Sequence, residues 1–314
     1  MLEKISIIDT DSRLPLLRPV LEFTVFSTAA RAEVTDGFLL FYRRFFERDG
    51  EALRWYKTNT MKQCRKLPVS GIEQFTSILT DPKAKSICLL GIEQHSGTSS
   101  EDYASPSFEF FSEEDLSDTE DPVRRSFLRI CWPVEEASRP DEVVEFVKSA
   151  LVGVSFSSGF CGYSYYWNTG NVTAQRRLAH VNREWLLRFP GLNYGDPITF
   201  LGFADLGILG VGWLTLLCPS LVDSVGGEEA VRNALPEQAE VIPIPGAGIV
   251  IRAGEKPELG DVNRGEFLPS YRKIGRILSP LRVPDEWIAE LPIEGLEDRE
   301  NLDWYHRFLG NETP

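Results

Sequence analysis

Acid–base and nucleophilic chemistry need His, Cys, Asp or Glu side chains at spacings that bring them together, and this chain offers few such arrangements. Its three histidines, His95, His180 and His306, are widely separated in flanks with no common pattern, so a metal site or triad has no local signature here. His180 stands in the middle of a polar helical stretch and reads as a surface residue. The five cysteines, Cys64, Cys88, Cys131, Cys161 and Cys218, are odd in number and never form CxxC, which fits reduced, partly buried thiols rather than a disulfide frame or a zinc site. The patterns HExxH, GxSxG and GxxxxGK[ST] are absent. GAGIVIRAG, from Gly246, has glycines at the wrong spacing for a dinucleotide loop and runs into a strand. GDVNRG sets Asp261 and Asn263 like the first two ligands of a calcium loop, but it lacks a third ligand before Gly265 and the closing Glu. A turn in which Asp261 and Asn263 bond nearby backbone amides is the simpler reading. No catalytic residue, cofactor or metal is therefore expected. The alternative is an enzyme whose site assembles from scattered residues, which a cluster of Asp, His or Cys in a deep pocket would favour.

The elements that must position any site follow from periodicity. A strand over 21–28 leads through a polar turn to a helix over 36–48, where Phe38, Phe41, Tyr42, Phe45 and Phe46 recur at helical spacing. A strand over 52–58, a helix over 71–79 and strands over 86–93 and 107–111 follow. A second cycle has a strand from Arg124 (through SFLRICWPV), a helix over 141–151 and an aromatic strand over 159–168. The repeated order of strand, Asp-started helix and aromatic strand predicts an α+β fold of two related halves, 1–123 and 124–314, each with a mainly antiparallel or mixed sheet covered by helices. Beyond these come a long helix over 172–188, a helix near 227–235, a hairpin over 240–253 turning at Pro245 to Gly248, and a helix over 268–278. The apolar stretch 198–218 approaches the length of a membrane span, but Asp205 and four glycines interrupt it. ITFLGF and VGWLTLL within it read as two buried strands.

Charge is concentrated rather than spread. The 314 residues include 33 Lys and Arg against 47 Asp and Glu, a formal net charge of −14. Residues 101–122 contain nine acids and no Lys or Arg; residues 281–314 contain nine acids against three arginines. These blocks carry −9 and −6, and the remainder is close to neutral. Such blocks repel phosphate, so direct DNA or RNA binding is not expected. They would attract a basic partner and speed its capture, or they are solvated loops that keep the chain soluble. The 42% hydrophobic content suits a soluble globular protein. The amino terminus has Glu3, Asp9 and Asp11 and no long apolar run, so a secretory signal is not expected and the cytoplasm is the expected compartment. Trp132, Trp167 and Trp213 fall in predicted strands and read as core. Trp287 and Trp304 stand in the acidic tail, where a ring either docks the tail or faces a partner.

Three phrases are too idiosyncratic for generic packing: PGLNYGDP at 190–197, GVGWLTLLCP at 210–219 and ELGDVNRGEFLPSYRKIGRILSPL at 258–281. In combination and order they resemble the bacterial immunity proteins of the type VI secretion TsiV/TsiT kind. The resemblance implies a binding protein that silences a cognate effector toxin encoded by the adjacent gene, with no chemistry of its own and no membrane or nucleic-acid contact. A nuclease-like toxin, with its basic groove, matches the acidic blocks. On that reading Glu113, Glu114, Asp115, Asp118, Glu120 and Asp121 steer the partner, and Trp287 and Trp304 are candidate anchors. The phrases themselves read as fold-defining turns, since Pro190 ends a helix and Gly191, Asn193 and Gly195 tolerate positive φ.

Overall fold

Strand β2 (Pro15–Ser27) is buried on both faces through its centre, LEFTVF, so it is covered from both sides and paired along both edges. In the computed structural model, which describes residues 5–9, 13–68, 70–115, 122–289, 291 and 293–309, it is the middle of one antiparallel sheet. The other strands are β1 (Ile7–Ile8), β3 (Trp55–Thr58), β4 (Arg65–Lys66), β5 (Leu89–His95), β6 (Ser107–Glu114), β7 (Arg124–Pro133), β8 (Ser158–Trp167), β9 (Leu214–Leu217), β10 (Glu240–Ile244) and β11 (Gly248–Arg252). They lie in the order β10-β11-β9-β8-β2-β7-β6-β5-β3-β4, with β1 added to β2. The α+β class expected from the sequence holds. Rather than one sheet per half, residues 1–123 and 124–314 share this sheet, because β7 and β8 of the second stretch take the two edges of β2 from the first.

The helices are α1 (Arg31–Asp49), α2 (Gly71–Thr80), α3 (Pro140–Leu151), α4 (Val172–Arg188), α5 (Pro197–Leu201), α6 (Pro219–Ser224), α7 (Glu228–Ala234), α8 (Pro269–Ile277), α9 (Asp285–Ile288) and α10 (Asp298–Tyr305). On one face of the sheet Leu21, Phe23, Phe108, Phe110, Ile130 and Trp132 meet the apolar stripes of α1, α2 and α3. Phe38, Phe41, Tyr42 and Phe45 supply the α1 stripe, and burying each ring contributes about 1.5–3 kcal/mol. On the other face Phe26 and Phe127 join residues of α5 and α10 in a second cluster, to which Tyr165 and Trp167 of β8 belong through their packing with α4.

One predicted strand is a helix. ITFL of ITFLGF lies in α5, because Asp196 and Pro197 form a helix start: the Asp196 carboxylate accepts from the Ile198 amide at 3.1 Å and proline occupies the first turn. VGWLTLL does supply a strand, β9. Among the described residues no helix is long and apolar enough to cross a membrane.

Candidate functional site

The acidic segment begins on the β6–β7 hairpin. Antiparallel register sets Glu113 opposite Arg125 and Glu114 opposite Arg124, so the first two acids of the run face cations across the strand pair. Arg31, buried at the start of α1, reaches within 3.9 Å of Glu114, and Arg125 pairs with Asp205 at 3.3 Å. The Asp115 amide donates to the Val123 carbonyl at 2.7 Å, closing the described end of the hairpin. Glu113, Glu114 and Asp115 are half-buried. Asp118, Glu120 and Asp121 lie outside the described residues. From Glu113 to Arg125 the sequence carries six acids against two arginines, an excess of negative charge.

The two tail tryptophans have different environments. Trp304 is 2% exposed, stacked on Phe200 with ring centroids 5.9 Å apart. Around it, α10 is fixed to the body: Tyr305 donates its hydroxyl to the Val283 carbonyl at 2.7 Å, Asn301 donates to the Leu291 carbonyl at 2.7 Å, and Glu300 pairs with Arg183 of α4. A Glu297/Glu300 capping box starts the helix. Trp304 thus docks the tail. Trp287, on α9, is 46% exposed. Glu290 of this acidic block lies outside the described residues, as does Glu312.

A cluster that sequence reasoning missed crosses the middle of the sheet. Lys57, Glu93, Glu109, Arg129 and Thr24 lie in register on β3, β5, β6, β7 and β2. Trp55, His95, Ser107, Cys131 and Glu22 form the adjoining row on the same face. Arg129, 2% exposed, donates to Glu22 at 3.0 Å, to Glu109 at 3.3 Å and to the carbonyls of Tyr165 and Gly195 at 3.2 and 3.1 Å. Glu22, fully buried, accepts a further bond from Thr24 at 2.7 Å, and Tyr166 donates to Glu93 at 2.7 Å. Burial and the facing Glu93 carboxylate push the Glu109 carboxyl up to about 8, against the pull of Arg129. Burial also raises Glu93 and Asp196, and it lowers His95 to about 4. Glu93 and Glu109 face a cleft of about 150 Å³ that Lys57, Asn59, Thr169 and Ile198 also line. The readable signal was a single charged residue inside each of the apolar runs LEFTVF, LGIEQH, SFEFF and SFLRICW.

The other chemistry-bearing residues are dispersed. His95 is buried and stacks on Tyr103 at 4.6 Å, His180 is exposed, and His306 contacts Asp285 at 2.8 Å. All five cysteines are free, with Cys131 and Cys161 buried. Among the described residues no three His, Cys, Asp or Glu side chains are grouped so as to hold a metal ion.

The first and third of the unusual phrases meet, and the second bonds the segment just before the third. The Gly191 amide donates to the Leu259 carbonyl at 2.8 Å and the Asn193 amide to the Tyr163 carbonyl at 2.9 Å. Both glycines of this turn are required by close approach: a Cβ would lie 2.0 Å from the Glu258 carbonyl oxygen at Gly191 and 2.0 Å from that of Tyr165 at Gly195. Asp261 accepts a bidentate pair from Arg188 at 2.9 and 2.8 Å, which holds its carboxyl below the usual range, and its Oδ1 accepts from the Asn263 amide at 3.1 Å. Trp213 donates to the Gly254 carbonyl at 2.9 Å. The phrases build the junction between the end of α4, β8 and the approach to α8, and the turn reading of GDVNRG holds for Asp261.

Known proteins locate the chain. A family profile, TsiV, described as type VI immunity for VRR-NUC, matches residues 34–308. Among solved structures, the Pseudomonas aeruginosa T6SS protein PA0821 has the same fold, with a TM-score of 0.76 and 17% sequence identity over 97% of this chain and 87% of that one. No curated protein matches the sequence.

Proposed function

Since the chain belongs to the TsiV family, type VI immunity for VRR-NUC, we propose that it neutralises a cognate VRR-NUC effector by tight stoichiometric binding in the cytoplasm. The effector is a nuclease whose substrate groove is basic, and the bound chain covers that groove or blocks the effector's assembly. The charge distribution supports this reading most directly. A nuclease must concentrate Lys and Arg where it meets phosphate, and the immunity chain concentrates its carboxylates in two segments of a near-neutral body. Glu113, Glu114 and Asp115, with Asp118, Glu120 and Asp121 that follow them in the chain, act as the steering surface. Trp287, exposed on α9 beside Asp285 and Glu286, is the aromatic anchor.

The effector is encoded by the neighbouring gene on this proposal, and co-expression is the test. Cells carrying that effector survive with this chain and lose their DNA without it. Survival that is independent of the chain would remove the immunity role for that effector.

A second reading is favoured by one observation, the Glu93 and Glu109 carboxyls facing a cleft with raised affinity for protons. A pair of that kind is suited to general acid–base work. It separates cleanly from the first: Glu93→Gln and Glu109→Gln abolish protection if catalysis carries the function, and leave stoichiometric inhibition in place if binding does.

A further inference from the structure

A small cavity lies where the PGLNYGDP turn, the segment 207–211 and the end of α10 meet. Its volume is about 30 Å³, and Asn193, Gly207, Gly210, Val211, Trp304 and Arg307 are among its walls. One water needs roughly 10–15 Å³ measured in this way, so the space takes one or two waters or a single small ion. Phosphate esters and nucleotides are too large for it.

Asn193 is 8% exposed and Trp304 2%, and the Asn193 Nδ2 and Trp304 Nε1 groups have no hydrogen-bond partner. The Arg307 guanidinium lies over the Trp304 ring, 4.2 Å from its centroid. It donates only to neutral acceptors: the Pro190 carbonyl at 2.8 Å, the Trp304 carbonyl at 2.9 Å and Asn193 Oδ1 at 3.4 Å. Among the described residues no carboxylate pairs with Arg307. The neighbouring charge it feels most strongly is a second cation, Arg282, which stacks over Tyr305 at 3.6 Å and leaves its own Nε without a partner. Asp285, the acid nearest to Arg282 in effect, is engaged with His306. At Gly210 there is no side chain to fill the space in front of the guanidinium; a Cβ there would stand 3.8 Å from both Arg307 Nη atoms.

We infer that this cavity binds a small monovalent anion of chloride size, held by Arg307, Asn193 Nδ2 and Trp304 Nε1. An anion satisfies both orphaned donors and supplies the charge that the two arginines lack. Buried donors of this kind are rarely left unpaired, and buried charges are normally compensated. The site would join three distant segments, so the anion acts as a clip that holds the C-terminal helix on the body.

The test uses the full chain. Its melting temperature is compared in sodium bromide and in sodium gluconate at equal ionic strength, and bromide is located by anomalous scattering in crystals grown with it. Bromide should raise the melting temperature by about 2 °C, as expected for a ligand at about ten times its dissociation constant. An anomalous peak should stand within hydrogen-bonding reach of Arg307 and Trp304. Trp304→Phe keeps the ring stack but removes one donor, and it should lose about half of the bromide increment. Ordered water with no anomalous peak at the site overturns the inference. So does a bromide increment that Trp304→Phe leaves undiminished, since the ion then acts elsewhere.

Discussion

Replacing Arg129 with Met tests the charged row inside the sheet. The substitution preserves much of the side chain's volume but removes four donations: to Glu22, to Glu109 and to the carbonyls of Tyr165 and Gly195. Glu22 is then a fully buried carboxylate whose remaining partner is the Thr24 hydroxyl. Breaking a buried ion pair from one side costs about 3–5 kcal/mol, because the surviving charge is neither solvated nor compensated. Against a total stability of about 5–15 kcal/mol for a protein domain, that is a large fraction. The melting temperature should fall by roughly 5–8 °C, taking about 1.5 °C per kcal/mol for a chain of 314 residues. Urea unfolding followed by tryptophan fluorescence measures the loss directly. The double variant Glu22→Gln, Arg129→Met should recover at least about 1 kcal/mol relative to Arg129→Met, since it removes the uncompensated charge. If Arg129→Met is too unstable to purify, Arg129→Lys keeps the charge but not the fork and should lie between it and wild type. A loss below about 1 kcal/mol for Arg129→Met, or a double variant no more stable than the single one, refutes the electrostatic account of this cluster.

Converting Glu113, Glu114, Asp115, Asp118, Glu120 and Asp121 to Gln and Asn should slow association with the effector roughly tenfold at low salt with little change in dissociation; equal stopped-flow rates for both proteins at low ionic strength would assign the segment to solvation alone. Trp287→Ala should weaken the complex by about 1–3 kcal/mol without lowering the melting temperature, whereas Trp304→Ala should destabilise the fold by about 3–5 kcal/mol; calorimetric titration and thermal unfolding separate the two effects. The Glu109 carboxyl is raised in the fold from its ordinary 4.5 to about 8, so its protonated form favours the native state below pH 4.5 and that contribution is lost as pH rises to about 8. Glu109→Gln should therefore flatten the decline of stability across pH 4.5–8, and an unchanged pH profile would contradict the shift. His95, lowered from 6.5 to about 4, acts in the opposite sense: its contribution is present above pH 6.5 and is lost as pH falls through 4. A buffer series with His95→Gln should show less acid destabilisation in that interval.

The fold was legible wherever burial writes a periodicity. The α1 stripe of Phe38, Phe41, Tyr42 and Phe45 and the β10–β11 hairpin fall where the pattern places them. ITFLGF was misread because an apolar run of that length fits strand or helix; the capping information lay in Asp196 and Pro197, just before it. The repeated order of elements suggested a sheet for each half, but it carries no information about which edges pair. Here β2 lies between β7 and β8 and draws both stretches into one sheet. Trp304 and Trp287 look alike as aromatic residues in an acidic tail, and only the packing of α10 against Phe200 separates the buried ring from the exposed one. Pairing across strands depends on register, so Glu22, Glu93, Glu109 and Arg129 stood in the sequence as four separate charges in apolar runs. Their convergence required the alignment of β2, β5, β6 and β7. The acidic run proposed as a steering surface is written in composition, whereas the geometry of contact depends on a partner whose shape this sequence does not encode.

Titrating the purified VRR-NUC effector with this chain while following DNA cleavage decides whether the chain silences it by stoichiometric binding. Stoichiometric binding gives a linear loss of cleavage that reaches completion at one chain per effector protomer or per assembled active groove, with a dissociation constant of about 1 nM or tighter. Undiminished cleavage at saturating chain, or complete silencing by a small catalytic fraction of it, would contradict inhibition by stoichiometric binding.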